Sequence, residues 1–402
     1  MDKTTPPQVS FEDTAIAFSS KTNGELRKIY WLFAAMNAPA LVKIGTRLIS
    51  FSFALRLPIK WAVKRTIFSH FCGGESIEDC QKTIERLAEY GIGTILDYSV
   101  EGEKSENSFE ATMHETIETI GLAAKQKEKM PFSVFKVTGV APLSVLEKVQ
   151  AKEVLTTKES TAWANAQRRV EAICAEAHKH QVRLFIDAEE SWIQNTIDEL
   201  AYAMMQKYNR ESPIVYNTYQ MYCHTTLANL KNAYAEASAQ NYYLGAKVVR
   251  GAYMERERAR AESKGYEDPI QPNKEASDRD FSQAITFCVE HIDRIGLCAG
   301  THNEDSSYEL VTLLAKHAVS PQNPNVYFAQ LFGMSDHISY NLAKAGYHVA
   351  KYVPYGPVKA VIPYLFRRAA ENTSVAGQSS REFKLIKKEI GRRTLKKKKD
   401  IA

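Results

Sequence analysis

Eight short apolar, β-branched runs alternate with helical segments from Gly73 to Gly356, and that alternation leaves the chain few folds. The runs lie at 94–100, 132–140, 182–191, 213–222, 242–253, 297–305, 326–334 and 348–356. Runs of this kind with helices between them mean parallel strands covered on the outside. Eight such units suit a (β/α)8 barrel, whose usual size is about 250 residues. An open doubly wound sheet is the alternative. No G-x-G-x-x-G follows an early strand, which weakens a dinucleotide-binding version of it. The expected fold class is α/β: a (β/α)8 TIM-type barrel with an N-terminal helical extension and a basic C-terminal helix or tail. The expected boundaries are a packing arm over 1–72, the barrel over 73–376 and the tail over 377–402.

The run ends carry polar or aromatic residues: Asp97, Lys136, Asp187, Gln220, Arg250 with Tyr253, His302 with Asn303, Gln330, and Tyr352. Barrel enzymes build their sites at the C-terminal ends of the strands. Lys136 sits among apolar neighbours, where a lone ammonium is costly, so a partner is expected.

Charge narrows the function. The net charge of +5 over 402 residues is uneven, because residues 381–400 hold ten Lys/Arg against three Asp/Glu. The body is therefore near neutral, which argues against a nucleic-acid enzyme. The six cysteines are scattered without a C-x-x-C and read as reduced core residues. No H-E-x-x-H or zinc pair occurs, so no metal is expected.

The polar, acidic N-terminus resembles neither a signal nor a transit peptide, and residues 1–10 are expected to be disordered. The apolar run Trp31 to Val42 is shorter than the roughly 20 residues of a membrane span. By elimination the expected location is cytoplasmic, with peripheral contact to a membrane as an option. No acidic residue occurs between Glu25 and Glu75, where lysines and arginines interrupt an apolar, aromatic helical stretch. Such a stretch suits a membrane surface. The favoured reading is packing on the barrel with snorkelling lysines. The segment 254–280 reads as a solvated excursion, either a lid or a rigid insertion. The basic tail reads mainly as frayed and solvated, with contact to anionic lipid as the other reading.

The segment 348–374, HVAKYVPYGPVKAVIPYLFRRAAENTS, reads as strand, turn and helix, with Pro357 in the first helical turn. Val361, Leu365, Arg368 and Ala369 share one face. Glu371 falls near Arg367 and Arg368. Two adjacent arginines below an aromatic strand end suit a carboxylate, although from these residues alone a solvated or salt-bridged pair is the favoured reading.

The whole string, Y-V-P-Y-G followed by Y-L-x-R-R-x-x-E-N, resembles the C-terminal signature of the proline dehydrogenase family. KVVRGAYMERERARA (247–261), THNED (301–305), FAQLFGM (328–334), LDYSVE (96–101), FKVTG (135–139) and IDAEES (186–191) resemble further blocks of that family in the same order. The resemblance covers about residues 11–380 and is nearest the stand-alone, mitochondrial-type branch. It implies a flavin-dependent barrel that oxidises L-proline to Δ1-pyrroline-5-carboxylate and passes electrons to a quinone. It implies a carboxylate site of Lys136, Arg367 and Arg368, and ring contacts from Val248, Tyr253 and Tyr352. For FAD it implies Lys247 near N5, amide donors from Gln220 and Gln330, close approach at Gly251, and His302 and Asn303 on the phosphate–adenosine side. Asp187 would orient Tyr352, and Glu371 would hold the arginines. Tyr352 leaves little room for a 4-hydroxyl, which favours proline over hydroxyproline. No general base is evident, so the amine proton is expected to leave to water. A separate pyrroline-5-carboxylate dehydrogenase would take the product. Two other readings remain: a Schiff-base lyase or aldolase using Lys136 or Lys247, and a non-catalytic membrane scaffold.

Overall fold

The computed structural model describes residues 9–54, 59–99, 105–374 and 378–399. Eight strands form one parallel sheet: β1 (Ile92–Tyr98), β2 (Phe132–Lys136), β3 (Arg183–Asp187), β4 (Val215–Gln220), β5 (Leu244–Val249), β6 (Ile295–Gly300), β7 (Val326–Leu331) and β8 (Val349–Tyr355). Each pairs with its sequence neighbour from β2 through β8, and β8 returns to β1. β1 also lies against β2, where Thr94 N donates to Lys129 O at 2.8 Å. The result is a nearly closed (β/α)8 barrel.

The helices, in chain order, are α1 (Thr14–Ala17), α2 (Asn23–Met36), α3 (Pro39–Ala54), α4 (Lys60–Val63), α5 (Ser69–Phe71), α6 (Ile77–Ala88), α7 (Glu106–Lys125), α8 (Leu143–Gln150), α9 (Thr157–His180), α10 (Ser191–Tyr208), α11 (Thr226–Ala239), α12 (Met254–Lys264), α13 (Lys274–Glu290), α14 (Glu304–Lys316), α15 (Asp336–Lys344), α16 (Val358–Ser374) and α17 (Gln378–Lys399). Local chemistry starts several of them. Thr22 with Glu25, and Thr156 with Glu159, form reciprocal capping boxes at α2 and α9. The Pro357 carbonyl accepts from Ala360 N and Val361 N at the start of α16.

Period-two alternation sorts the strand side chains. Ile95, Phe132, Val134, Phe185, Tyr216, Cys298, Tyr327, Ala329, Ala350 and Tyr352 fill the barrel interior. Ile92, Leu96, Phe135, Ile186, Val248, Phe328 and Val353 belong to the layer between sheet and helices. All six cysteines are buried and unbridged.

The N-terminal arm packs on one face and not on another. Met36, Val63, Phe68 and Phe71 cluster with Val358, Val361 and Leu365 of α16. Ala17, Phe18, Leu26 and Phe33 cluster with Leu385 and Ile386 of α17. Yet Trp31, Leu41, Ile44, Leu48, Phe51 and Trp61 are each more than half exposed, so packing accounts for only part of the arm. Of the stretch expected to be disordered, residues 1–8 lie outside the described residues. Val9 is buried in the core, and Phe11 N donates to Tyr308 Oη at 3.1 Å.

Two charged segments are also more ordered than their composition suggests. Residues 254–264 of the expected excursion form α12, exposed over most of its surface. Its Glu257 is buried and accepts from Ser191 N and Ser191 Oγ, both at 2.6 Å. The basic C-terminus is α17 rather than a frayed tail. Its Glu389 is fully buried, takes Thr14 Oγ1 at 2.9 Å, and is bracketed by Arg392 and Arg393. These segments order because inward acids, Glu257 in α12 and Glu382 and Glu389 in α17, meet matched donors, a pairing that bulk charge does not reveal.

Buried ion pairs tie the arm to the barrel. Lys351, fully buried on the outer side of β8, meets Asp336 Oδ1 at 3.0 Å, and Lys21 reaches Asp336 Oδ2 at 3.4 Å. Burial opposes the Asp336 charge, but Lys351 and Lys21 hold its carboxyl well below the usual range. Glu382 of α17 accepts from Ser335 N at 3.2 Å. Burial pushes the Glu382 carboxyl up to about 7, against the pull of His337 and Lys351. The folded state therefore keeps a proton that the unfolded chain releases near the ordinary carboxyl value of 4.5. Stability should fall as pH rises from about 4.5 to about 7. In urea titrations across that window, Glu382→Gln should flatten the fall. A slope equal to that of the wild type would remove Glu382 from the account.

Candidate active site

Four strands deliver one polar cluster at the C-terminal end of the barrel. Lys136 closes β2 and Asp187 closes β3, and the two are register partners. Lys136 Nζ meets Asp187 Oδ2 at 2.8 Å. Lys247 of β5 meets Asp187 Oδ1 and donates to Tyr352 Oη of β8 at 2.7 Å. The Tyr352 hydroxyl donates to Asp187 Oδ1 at 3.3 Å. The partner expected for Lys136 is thus Asp187, and Asp187 does touch Tyr352.

The cluster rests on an aromatic floor. Phe132 stacks on Phe185 with centroids 4.2 Å apart, and Phe185 lies 6.1 Å from Tyr352. Lys247 Nζ stands 5.1 Å from the Phe185 ring centre and 4.7 Å from that of Tyr352, in cation–π range. The Lys247 side chain is only 6% exposed, whereas that of Lys136 is 32% exposed and faces the mouth.

Electrostatics fix the charge states. Burial would raise the Asp187 carboxyl, but the two lysines hold it down at about 2. Burial disfavours the Lys136 ammonium, yet Asp187 outweighs it and raises the group well above its ordinary value. Burial and the Asp187 charge push the Tyr352 phenol up, so it stays neutral. Within the cluster two lysines flank one carboxylate, and the buried Asp97, whose carboxyl burial raises, lies within electrostatic reach of all three.

Sequence reasoning gave no role to Glu189 or Arg250, whereas Tyr253 was expected here. The Glu189 carboxylate accepts from Thr138 N at 3.0 Å and from the Thr138 hydroxyl, and its carbonyl accepts from Gln220 Nε2 at 2.7 Å. Burial pushes the Glu189 carboxyl up to about 7, although Lys136 draws it down. Burial also raises Tyr253, to about 12, with Lys136 the leading opposing charge, so Tyr253 lies beside the cluster. Arg250 donates to Asp278 at 2.7 Å, to Thr301 Oγ1 at 3.0 Å and to Ser306 Oγ at 2.9 Å, clamping the β5 exit to β6 and α14. A cationic strand end with acids in the next helix was the available signal.

Other expected site residues are placed differently. Val248 lies in the layer beneath the helices, because it alternates with the inward Lys247. It therefore does not wall the mouth. Gln330 also lies on the helix side: its Oε1 accepts from Ser339 of α15 at 2.8 Å, and its Nε2 donates to Thr301 O at 3.1 Å. Gln220 faces inward with one amide hydrogen already given to Glu189. Gly251 has φ +143, and a Cβ there would lie 2.4 Å from the Tyr222 ring. The close approach it permits is thus to that ring. Asn303 caps α14, accepting from Ser306 N at 2.9 Å.

His302 pairs with Ser335 Oγ through Nδ1 at 2.9 Å, and its Nε2 lies 3.4 Å from Leu331 N. Burial first, then the Lys351 and Arg368 charges, push it down to about 3, so it is neutral. The same interaction places Arg368 near the β6 exit. Arg368 lies largely buried on α16, 5.3 Å over the Tyr364 ring, beside a half-buried Arg367. The side chains of Ala369 and Glu371 lie outside the described residues.

Comparison with known proteins agrees with this architecture. A family model described as proline dehydrogenase matches residues 80–381. "Proline dehydrogenase 1, mitochondrial" of Dictyostelium discoideum is 34% identical over 95% of this chain and 74% of the relative. The carbapenem antibiotics biosynthesis protein CarD of Pectobacterium carotovorum subsp. carotovorum is 34% identical over 81% of the chain and 84% of the relative. Hydroxyproline dehydrogenase of Xenopus laevis is 30% identical over 96% and 90%. Among solved structures, proline utilization A from Bdellovibrio bacteriovorus superposes with a TM-score of 0.70 at 18% identity. That match covers 91% of this chain but only 38% of the larger one, and it speaks for the fold alone. The matched residues run from α6 through the arginine helix to the start of α17 and enclose all four members of the polar cluster: the chain belongs to the proline dehydrogenase family.

Proposed function

We propose that the protein oxidises L-proline to Δ1-pyrroline-5-carboxylate with FAD as hydride acceptor, and that the electrons pass to a membrane quinone. The observation that carries this reading is the Lys136–Asp187–Lys247–Tyr352 cluster at the barrel mouth. The part-exposed Lys136 ammonium suits a substrate carboxylate. Lys136 keeps donors free of Asp187 for that carboxylate, and Arg367 and Arg368 of α16 supply the planar, bidentate partners. Tyr352 and Tyr253 bound the ring, so C5 is presented in one orientation.

The residues present fit a flavin. Lys247 is a buried cation on an aromatic floor, fixed by two partners, and Gln220 keeps a second amide hydrogen facing the same space. Lys247 would stand where negative charge grows as the cofactor is reduced. A bound flavin would supply the hydride acceptor, which no side chain can. Oxidation would take the C5–H hydrogen with its electron pair to that acceptor, leave the ring nitrogen doubly bonded to C5, and release the nitrogen's proton to water at the open mouth. The quinone is the terminal oxidant, reached by peripheral contact with its membrane, and a pyrroline-5-carboxylate dehydrogenase takes the product. A Schiff-base mechanism is disfavoured, because Asp187 keeps Lys136 protonated and ties down Lys247.

The deciding experiment is the anaerobic visible spectrum of the purified protein. Flavin bands should bleach when L-proline is added. A protein loaded with FAD whose bands ignore proline would overturn the reading. Asp187→Asn leaves two lysines facing each other. It should lower kcat/KM at least about 100-fold and stability by about 3 kcal/mol in urea unfolding. Near-normal kcat/KM would sink the role given to the cluster. Hydroxyproline use is the second reading, and Tyr352 tests it. Tyr352→Ser should raise the ratio of trans-4-hydroxy-L-proline to L-proline efficiency at least about tenfold. An unchanged ratio would show that the phenol does not set ring specificity.

A further inference from the structure

We infer that α3, with the flanking Trp31 of α2 and Trp61 of α4, is a docking face for an anionic phospholipid bilayer. The inference deepens the proposed reaction, since it rests on a quinone acceptor held in a membrane. It begins from a helix that is apolar on two sides. The inner side of α3 packs on α2 and α16, with Ile49 against the Val358–Val361–Leu365 cluster. The outer side presents Leu41, Ile44, Leu48 and Phe51 at 57%, 55%, 59% and 62% exposure. Their spacings of three, four and three put them on one helical stripe. Trp31 is 71% exposed and Trp61 67%. The described residues therefore concentrate six large exposed apolar side chains on three successive helices. A soluble surface rarely tolerates such a patch without a partner.

Charge selects the occupant. No acidic residue occurs from Leu26 to Gly74, whereas Lys28, Arg47, Lys60, Lys64 and Arg65 are exposed around the patch. Arg65 lies 5.1 Å over the Trp61 ring. Lys60 and Lys64 share Glu75 at the barrel edge, at 2.8 Å and 2.7 Å, which anchors that rim. Exposed tryptophans amid cations, around an aliphatic stripe, match the headgroup–acyl boundary of an anionic leaflet.

Geometry selects lying over spanning. No single described helix is long and apolar enough to cross a membrane. Helices α2 and α3 would suffice together, but the chain bends by 96° between them. The 16 residues of α3, about 24 Å long, can lie in the plane of the interface. Because α2, α3 and α4 all contact α16, the docked face backs directly onto the helix that carries Arg367 and Arg368. The active-site end is thereby held against the leaflet that contains the acceptor.

The test is flotation of the full-length holoenzyme with phosphatidylcholine vesicles, with and without phosphatidylglycerol. Wild-type protein should float with the anionic vesicles, and added salt should weaken the binding. The double variant Leu48→Glu/Phe51→Glu should lose at least about tenfold in partitioning. Val154→Glu, at a site 94% exposed on the barrel side, should float like wild type. Wild-type protein that stays in solution, or a double variant that floats normally, would overturn the inference. So would a wild-type dimer that the double variant dissociates, because a second copy would then cover the face. Proline oxidation with a soluble dye acceptor should be equal in all three proteins. Its loss in wild type would count against the proposed reaction and leave the flotation result to judge the surface.

Discussion

One carboxylate between two ammonium groups sets the character of this barrel. Asp187 is ionised in the interior because Lys136 and Lys247 offset the cost of burying it. In turn it lets two lysines and a phenol from three other strands share one small volume. Neighbouring strands present Lys136 and Asp187 at the same height, and barrel closure brings in Tyr352. The most exposed of these groups, the Lys136 ammonium, faces the mouth, where an anionic substrate group would arrive. The aromatic stack beneath keeps water from the underside of Lys247, which strengthens each of these interactions.

A second buried ion network works outside the barrel wall. Lys351 and Tyr352 are adjacent in β8 and point to opposite sides, one to Asp336 and Lys21, the other to the polar cluster. The strand that positions the ring wall is thus pinned from behind by the arm. His302, neutral and engaged with Ser335 and Leu331, braces the same region. Several family-implied ligand positions thus also brace the fold, as do the cap at Asn303 and the Gln330 bridge to α15.

Much of this was legible in the sequence, for definite reasons. Parallel strands buried on both faces leave contiguous apolar runs, so all eight could be found by inspection. Polar residues ending those runs marked the mouth, and the isolation of Lys136 demanded a partner. Facing was harder. Val248 follows Lys247 directly, and with a period of two both cannot point inward. The apolar run hid which one did. Gln330 likewise sits one place out of phase with the inward Ala329. Composition misled over α12 and α17, where Glu257 and Glu389 are lost among many surface charges. The arm misled in the opposite sense, because apolar residues imply burial on average. Only the structure separates its packed stripe from its exposed one.

The shared cluster of Phe18, Leu26 and Phe33 with Leu385 and Ile386 constrains the order in which the molecule can be assembled. During synthesis the arm emerges before the barrel, yet the helix that covers it emerges after the barrel. The eight strands can pair progressively as they appear, each beside its predecessor. The arm must wait, with part of its apolar face uncovered, until residues 378–399 leave the ribosome. Docking of α17, rather than barrel closure, should then be the event that covers this face. Until that moment, the nascent chain carries two uncovered apolar faces on its arm instead of one.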